Sequence, residues 1–458
     1  MNVRRHQIGT VKFLGSVLLA CGLGGFAVDA AIPLTDSPVA QWNEKALDAI
    51  RSTATPPPRA SRILAMLHVA IHDACNGVHK DYEQYLVPAY RLHEDTSARA
   101  AIATAAHDVL VQTFPTLVST WNAEEARQLE VVRSRYGKQA GMRWGRFVAE
   151  RVLAARQADG SGTIVQYIPG VGAGYWVPTA PAFAPALLPQ WGDVTPFGVS
   201  SAEAFLPVPP PALDSQGYAE EWEQVRAIGA VNSPVRTADQ TQIARFWANG
   251  AGTATPPGHW NQIARQIIAG RGLRIRKEAR LMALLNVSLA DAAIVCWKAK
   301  YEYNLWRPIT AIRQADQDGN ATTTADPGWT PLLTTPPFPE YTSGHSTFSG
   351  AGATVLAMVL GTDAIPFVGE SDDAPGIQRP YAGFWHAAEE SGMSRIYGGI
   401  HFMSGNVNGL EAGRAVAIEV VQGRLRKLSE ESEDEDDDSG HGPGYDCDRE
   451  KDYEGKYR

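Results

Sequence analysis

Lys300 and Arg307 are two basic residues whose spacing suits the binding of an anion. Seven residues apart, they lie nearly in line on a helix, about two turns from one another. Pro308 disfavours helical geometry at Arg307, so we expect this arginine at the helix end, where its side chain can turn inward. Two basic residues on a helix are also typical of a solvent-exposed face, but Trp297 and Trp306 flank them and favour a partly buried setting.

A second segment, Ser343-Gly344-His345, follows a proline-rich loop and precedes an apolar helix predicted from Thr347. Ser343 and Gly344 are therefore expected at a helix N-terminus, where backbone N–H groups and the helix dipole favour an anion. A histidine titrates near neutral pH, so His345 can serve as an acid or a base. The alternative is that Ser343 only caps the helix and that His345 has no chemical role.

Arg395 and His401 form the third group, separated by Gly398-Gly399. The arginine offers a planar fork of donors that suits an oxyanion, and the histidine offers a ring nitrogen as ligand or nucleophile. The glycines permit a tight turn that directs both side chains inward. A single histidine after glycines is also common as a purely structural residue, and nothing in the sequence decides whether His259 borders the same pocket.

Together the three groups supply three fixed positive charges, a hydroxyl, a backbone donor and two histidines. A tetrahedral oxyanion requires this set, because its charge must be neutralised and each of its oxygens needs a donor. One histidine can then lie behind the central atom and the other in front of it. The sequence therefore predicts a pocket for a tetrahedral oxyanion.

The order and spacing of these groups resemble the signature of the vanadium-dependent haloperoxidases and the related type 2 phosphatidic acid phosphatases. The shared pattern is Lys-x6-Arg-Pro, then Ser-Gly-His, then Ser-Arg-x5-His. Phe-Pro-x-Tyr before Ser-Gly-His is similar to the chloroperoxidase branch. The resemblance covers residues 232–427 and implies a C-terminal helical bundle that holds the pocket.

The resemblance also implies a role for each residue. His401 would be the axial vanadium ligand, and His345 would be the acid–base residue. The vanadate oxygens would be held by Lys300, Arg307, Ser343, Gly344 and Arg395. Trp297 and Phe338 would line a halide site, and Asp239 is expected to pair with Arg395.

The sequence departs from the family pattern at two positions. Thr342 replaces the proline that usually precedes Ser-Gly-His, which loosens the loop but removes no donor. Gly405 stands four residues after His401, where the superfamily often has an aspartate that orients the histidine. Asn406 is the nearest substitute in the sequence.

Helical spacing of apolar residues recurs along the chain, whereas strand patterns are scarce, so we predict an all-α fold built from helical bundles. An N-terminal helical domain is expected over residues 31–231, with an irregular Pro/Gly-rich excursion at 160–215. The C-terminal bundle occupies 232–427. Residues 428–458 are an acidic tail expected to be disordered.

Residues 1–30 carry basic residues, then an apolar stretch and a small-residue cleavage signal, and therefore predict a signal peptide and export to the periplasm or the exterior. Lipid anchoring at Cys21 is a less favoured alternative. The apolar stretch is too short and too rich in glycine for a membrane span. Three well-separated cysteines would remain after cleavage, which does not make a disulfide framework.

The net charge of −9 lies in the tail from Ser429 to Arg458, which has thirteen acidic and four basic residues. The rest of the chain is close to neutral, so nothing indicates nucleic-acid binding.

The resemblance implies an enzyme that oxidises halide with hydrogen peroxide to a hypohalous-acid equivalent, which then reacts with a small organic substrate. Vanadate would be the cofactor and would act as a Lewis acid. Phosphate can occupy the same pocket, so the first alternative is an acid phosphatase that uses His401 as nucleophile. The second is a non-catalytic oxyanion-binding protein. The sequence leaves open the halide preference, the organic substrate and the oligomeric state.

Overall fold

Helices dominate the computed structural model, which describes residues 37–89 and 91–428. Within those ranges the extended elements are β1 (Phe367–Gly369) and β2 (Arg379–Tyr381), which pair antiparallel, and three isolated bridges. The predicted all-α fold class is therefore confirmed. The predicted signal peptide, with Cys21, and the acidic tail beyond residue 428 lie outside the described residues.

Five helices form the first part of the described chain. They are α1 (Pro38–Ser52), α2 (Pro57–His79), α3 (Ala98–Thr113), α4 (Val118–Glu130) and α5 (Arg135–Arg156). Pro57 stands in the first turn of α2, where its missing N–H has no helical partner to lose. Ser97 and Ser134 cap α3 and α5 by accepting hydrogen bonds from backbone N–H groups three residues further on. Local sequence signals therefore define where these helices begin.

Eight helices follow in the second part. They are α6 (Gln216–Gly229), α7 (Ala238–Phe246), α8 (Thr255–Arg271), α9 (Ile275–Tyr303), α10 (Pro308–Arg313), α11 (Gly344–Leu360), α12 (Phe384–Tyr397) and α13 (Met403–Gly423). Strands β1 and β2 lie between α11 and α12. The chain between α5 and α6, which contains residues 160–215, is irregular, with short 3-10 helices at Pro189–Asp193 and Glu203–Phe205.

Helix α9 is the central element of the core. Almost every residue from Glu278 to Lys300 is buried, and α2, α11 and α13 pack around it. In the part of the chain that the structure describes, only α9 is long and apolar enough to cross a membrane by length and composition, and 94% of its most apolar window is buried inside the protein. Such burial is typical of a core helix.

One hydrophobic core joins both halves of the sequence. Leu64 and Ile71 of α2 belong to the same cluster of buried side chains as Leu285 of α9 and Val416 of α13. The core is thus continuous across residue 232, and the domain boundary expected there stays a prediction from sequence.

Helices α11 and α13 cross at very short range because glycines lie at the crossing. A Cβ on Gly350 of α11 would lie 2.1 Å from the carbonyl oxygen of Leu410, and one on Gly413 of α13 would lie 2.0 Å from that of Thr347. The N-terminal ends of the two helices consequently come together, and the Ser343 amide donates to the Gly405 carbonyl at 2.9 Å. This crossing places the Ser-Gly-His segment beside His401.

Candidate active site

Lys300 lies in the last turn of α9, and Arg307 is the residue that precedes α10. Asn304 ends α9 in the left-handed region with φ of 48°, and Pro308 begins α10, so the chain turns sharply between the two basic residues. Both side chains are fully buried. The predicted inward turn of Arg307 is therefore present, and the alternative of a solvent-exposed basic face is wrong for this pair.

The Lys300 ammonium group holds the loop that leads into α11. Its three donors meet the carbonyl oxygens of Pro339, Glu340 and Thr342 at 2.5–3.0 Å. The phenyl ring of Phe338 lies 4.9 Å from the same nitrogen. Lys300 thus fixes the backbone of the segment in which Thr342 replaces the usual proline.

The Arg307 guanidinium joins that loop to the segment that carries His401. Its Nε donates to the Phe338 carbonyl at 2.8 Å, and its Nη1 donates to the Ile400 carbonyl at 2.8 Å and to His401 Nε2 at 3.1 Å. A guanidinium can only donate, so His401 Nε2 must present its lone pair. Arg307 Nη2 is buried and has no hydrogen-bond partner in residues 37–89 and 91–428.

Ser343 is the N-cap of α11, and Gly344 is the first residue of that helix. Ser343 Oγ accepts a hydrogen bond from the Ser346 amide at 3.3 Å, which leaves the hydroxyl proton free to be donated. The capping interpretation and the anion-binding interpretation are therefore compatible. His345 follows in the first turn, and its Nε2 is buried with no partner among the described residues.

Arg395 lies in α12 and donates from Nη1 to the carbonyl oxygen of Trp247 at 3.0 Å, whereas its buried Nε has no partner in the described part of the chain. The predicted pairing of Arg395 with Asp239 is wrong. Asp239 is largely exposed at the start of α7 and pairs with Arg379 of β2, with an Nη1–Oδ1 distance of 2.9 Å. The first turn of α7 places this carboxylate at the surface, beside Arg379.

A buried glutamate forms a hydrogen bond with His401. Glu340 Oε1 accepts a hydrogen bond from His401 Nδ1 at 2.7 Å and another from the Phe402 amide at 3.0 Å. The Glu340 side chain is fully buried. Asn406 does not take this role, since its Oδ1 accepts from Ser346 Oγ at 2.7 Å.

Burial controls the protonation of the pocket. It lowers the pKa of Arg307 to about 10 and that of Arg395 to about 9, and it also lowers the pKa of Lys300. The pKa of both His345 and His401 lies well below its usual range, first because of burial and second because of nearby arginine charge. Both imidazoles are therefore neutral near neutral pH, and a bound anion would relieve the unfavourable burial of the cations.

The two predicted halide-site residues lie side by side. The rings of Trp297 and Phe338 are 5.1 Å apart, and the Trp297 indole donates to the Leu187 carbonyl of the excursion at 3.2 Å. A Cβ on Gly344 would be 3.8 Å from the Trp297 ring, so the indole borders the N-terminus of α11. The excursion thus packs against one wall of the pocket.

Glu340, Trp247 and His259 also shape the site. The backbone of Trp247 and Ala248 lies near His345 and opposes the lowering of its pKa. His259 stacks on Trp247, with ring centroids 4.4 Å apart, and thus supports the residue whose carbonyl also binds Arg395. Of these three, sequence reasoning considered His259 but neither Glu340 nor Trp247. Glu340 had a signal in the sequence, namely a carboxylate in a loop of apolar residues together with the glycine at 405. A backbone carbonyl, as at Trp247, leaves no trace in a residue pattern.

The residues present fit a tetrahedral oxyanion. Arg307 Nη2, Arg395 Nε and His345 Nε2 are buried polar atoms with no partner elsewhere in the described chain. Buried polar atoms without hydrogen-bond partners are costly, so these three atoms point to a ligand that completes their hydrogen bonds. The N-terminus of α11 adds positive potential at the same place.

Family models match two separate parts of the chain. Residues 36–155 match the family model described as the vanadium chloroperoxidase N-terminal domain. Residues 280–430 match the model described as the second helical-bundle domain of the same chloroperoxidase. The two matches contain α1–α5 and α9–α13 respectively, except for the last residue of α5 and the first five residues of α9.

Vanadium chloroperoxidase of Curvularia inaequalis is 28% identical over 390 residues, which cover 68% of this chain and 63% of that protein. The chain therefore spans less than two thirds of that relative. The crystal structure of the first bacterial vanadium-dependent iodoperoxidase superposes with a TM-score of 0.76 and 28% identity, covering 87% of this chain and 99% of that one. A holo-type bacterial vanadium-dependent chloroperoxidase, at 16% identity and a TM-score of 0.64, covers 81% of this chain and 93% of its own and shares the fold.

Proposed function

Since this chain belongs to the vanadium-dependent haloperoxidase family, we propose that it is a vanadate-dependent haloperoxidase. The reaction would consume hydrogen peroxide, a halide ion and a proton and would yield a hypohalous-acid equivalent and water. The observation that carries this proposal is the pocket around His401. A neutral imidazole presents its Nε2 lone pair among three buried cations, two of which have an N–H group without a partner among the described residues.

Vanadate would be held by the residues that converge on this pocket. His401 Nε2 would ligate the metal through its single lone pair, which now accepts a hydrogen bond from Arg307 Nη1, so the metal would take the place of that hydrogen bond. Glu340 would hold the ring through Nδ1 and so keep Nε2 unprotonated. Arg307 Nη2 and Arg395 Nε are the free donors for oxyanion oxygens. The Ser343 hydroxyl and the Gly344 amide would add donors at the helix N-terminus, and Lys300 would contribute charge while it holds the loop.

When bound, vanadate supplies a Lewis-acid centre that activates hydrogen peroxide toward attack by halide. His345 Nε2 is neutral, buried and unpartnered, so it can accept a proton from peroxide and return it to the leaving oxygen. The buried walls of the site restrict water. Trp297 and Phe338 give an apolar, polarisable edge on which a weakly hydrated halide can rest. A small organic molecule is the expected acceptor of the oxidised halogen.

The test compares two reactions of protein prepared without metal. Halogenation of a phenol reporter with hydrogen peroxide is measured with and without orthovanadate, and hydrolysis of an aryl phosphate is measured in parallel. We expect halogenation that depends on vanadate. Hydrolysis that vanadate inhibits, without halogenation, would instead identify a phosphatase, and anion binding without either activity would identify a binding protein.

Two histidine variants assign the activity to the site. His401→Ala should reduce halogenation at least a hundred-fold, because it removes the metal ligand. His386→Ala is the matched control, since His386 is exposed on α12, the helix that carries Arg395. Full activity in His401→Ala, or equal loss in both variants, would contradict the assignment.

A further inference from the structure

The carboxylate that orients His401 comes from a different element than the family pattern predicts. Glu340 lies in the loop before α11, 61 residues before His401, whereas the superfamily aspartate would stand at position 405 in the first turn of α13. Position 405 is instead glycine, and its carbonyl accepts from the Ser343 amide. The missing aspartate at position 405 and the carboxylate supplied by Glu340 therefore concern one place in the structure.

Position 405 and the Glu340 carboxylate compete for the same space. A Cβ on Gly405 would lie 2.4 Å from Glu340 Oε1 and 3.0 Å from Oε2, so the carboxylate would have to leave the position in which it binds His401 Nδ1 and the Phe402 amide. By standard bond lengths, the carboxylate oxygens of an aspartate lie roughly 2.4 Å from its own Cβ. An aspartate at position 405 could thus place an oxygen close to where Glu340 Oε1 now lies.

The place that the Glu340 carboxylate occupies also favours a negative charge. Phe402 is the N-cap residue of α13 and has no side-chain cap, and its amide donates to Glu340 Oε1 at 3.0 Å. Glu340 therefore caps α13 from outside the helix, at its positive end. Its backbone is held as well, because its carbonyl accepts from Lys300 and its amide donates to the Leu305 carbonyl.

We propose that Glu340 is the positioning residue of the oxyanion site, that it replaces the aspartate of helix α13, and that Gly405 is required to leave room for it. Glu340 keeps the proton of His401 on Nδ1, and Arg307 accordingly meets the Nε2 lone pair. The oxyanion site consequently depends on a contact between the loop before α11 and the first turn of α13.

Moving the carboxylate back to the helix tests this proposal. The variants are Glu340→Ala, Gly405→Asp and the double variant Glu340→Ala/Gly405→Asp. Glu221→Ala is the matched control, because Glu221 also binds the first turn of α13, accepting from Ser404 Oγ at 2.7 Å, but forms no hydrogen bond with His401 in the part of the chain that the structure describes. Thermal unfolding of each protein shows whether it folds.

The first measurement is orthovanadate affinity by equilibrium dialysis, and it rests on the proposed function. We expect Glu340→Ala to weaken binding about 10- to 100-fold, as is usual when a partner of a metal ligand is lost. Gly405→Asp alone should also weaken binding, because the two carboxylates collide. The double variant should recover to within a few-fold of the wild type, and Glu221→Ala should change affinity less than two-fold.

The second measurement is the ¹⁵N spectrum of the histidine rings in metal-free protein, which does not depend on any activity. His401 should be a single tautomer with the proton on Nδ1 in the wild type and the double variant, and a mixture in Glu340→Ala. If the wild type fails to bind vanadate but shows this pattern, the proposed function fails and the positioning role stands.

Two outcomes would overturn the positioning role. One is a folded Glu340→Ala protein with the affinity and the tautomer of the wild type. The other is a folded double variant that binds no better than Glu340→Ala. If Glu340→Ala does not fold by itself, recovery of both folding and binding in the double variant supports the proposal, and recovery of folding alone contradicts it.

Discussion

The crossing of α11 and α13 gives a sharp prediction at Gly413. A Cβ at this position would lie 2.0 Å from the Thr347 carbonyl oxygen and 2.8 Å from the Ala351 amide nitrogen, whereas ordinary contacts begin at 3.4 Å. In Gly413→Ala the two backbones must therefore separate by more than about 1 Å. Overpacking of this kind costs about 1–3 kcal/mol. Since the opposing atoms are backbone, we expect the upper end of that range.

The gain in helix propensity from glycine to alanine offsets about 1 kcal/mol of that cost, which leaves a net loss near 2 kcal/mol. The displacement also reaches the site, because Thr347 belongs to the first turns of α11 and its hydroxyl donates to the Ser343 carbonyl at 2.9 Å. Misplacement by about 1 Å commonly costs up to 100-fold in a preorganised site. We therefore expect orthovanadate affinity to fall about ten-fold or more.

Gly423→Ala is the matched control on the same helix. A Cβ there meets nothing within 4 Å, so this variant should keep its stability, or gain slightly, and should keep its vanadate affinity. Urea unfolding followed by circular dichroism measures the first quantity, and equilibrium dialysis of metal-free protein measures the second. The reasoning fails if Gly413→Ala matches Gly423→Ala in both assays.

Three further predictions concern carboxylates outside the oxyanion site. Asp239→Asn should leave vanadate affinity unchanged and alter stability by less than about 0.5 kcal/mol, because the Asp239 side chain is 66% exposed and Arg379 keeps its pair with Glu390; a ten-fold loss of affinity on dialysis would contradict this. Asp291→Ala should cost on the order of 3–5 kcal/mol in urea unfolding, since the amides of residues 197–199 would lose their acceptor; a loss below 1 kcal/mol would refute it. Burial raises the pKa of Glu278 to about 7 in the folded protein, so its contribution to stability falls as pH rises from about 4.5 to 7. Glu278→Gln should remove this loss, so the unfolding free energy of the variant relative to wild type should rise by about 3 kcal/mol between pH 4 and pH 8; a flat difference would exclude it.

The chemical inventory of the site could be predicted from the sequence because it depends on residue types and local spacing. Lys300 and Arg307 are placed by the end of one helix and the proline that begins the next. Ser343 and Gly344 are placed by an N-cap, which is defined within four residues of the chain. Helix periods, caps and proline constraints act over one or two turns, so they are legible in the sequence.

The partners of these groups were decided by the tertiary structure. Glu340 and His401 are 61 residues apart, and nothing local links them. Asp239 pairs with Arg379 rather than Arg395 because α7 presents it at the surface beside β2. Glycines at the crossing of α11 and α13 bring two helix ends within hydrogen-bonding distance. Such contacts depend on how distant helices pack, and close packing selects partners by shape as much as by charge. The sequence by itself determined which groups can bind an oxyanion, and the packing of α9, α11 and α13 decided which carboxylate orients the histidine among them.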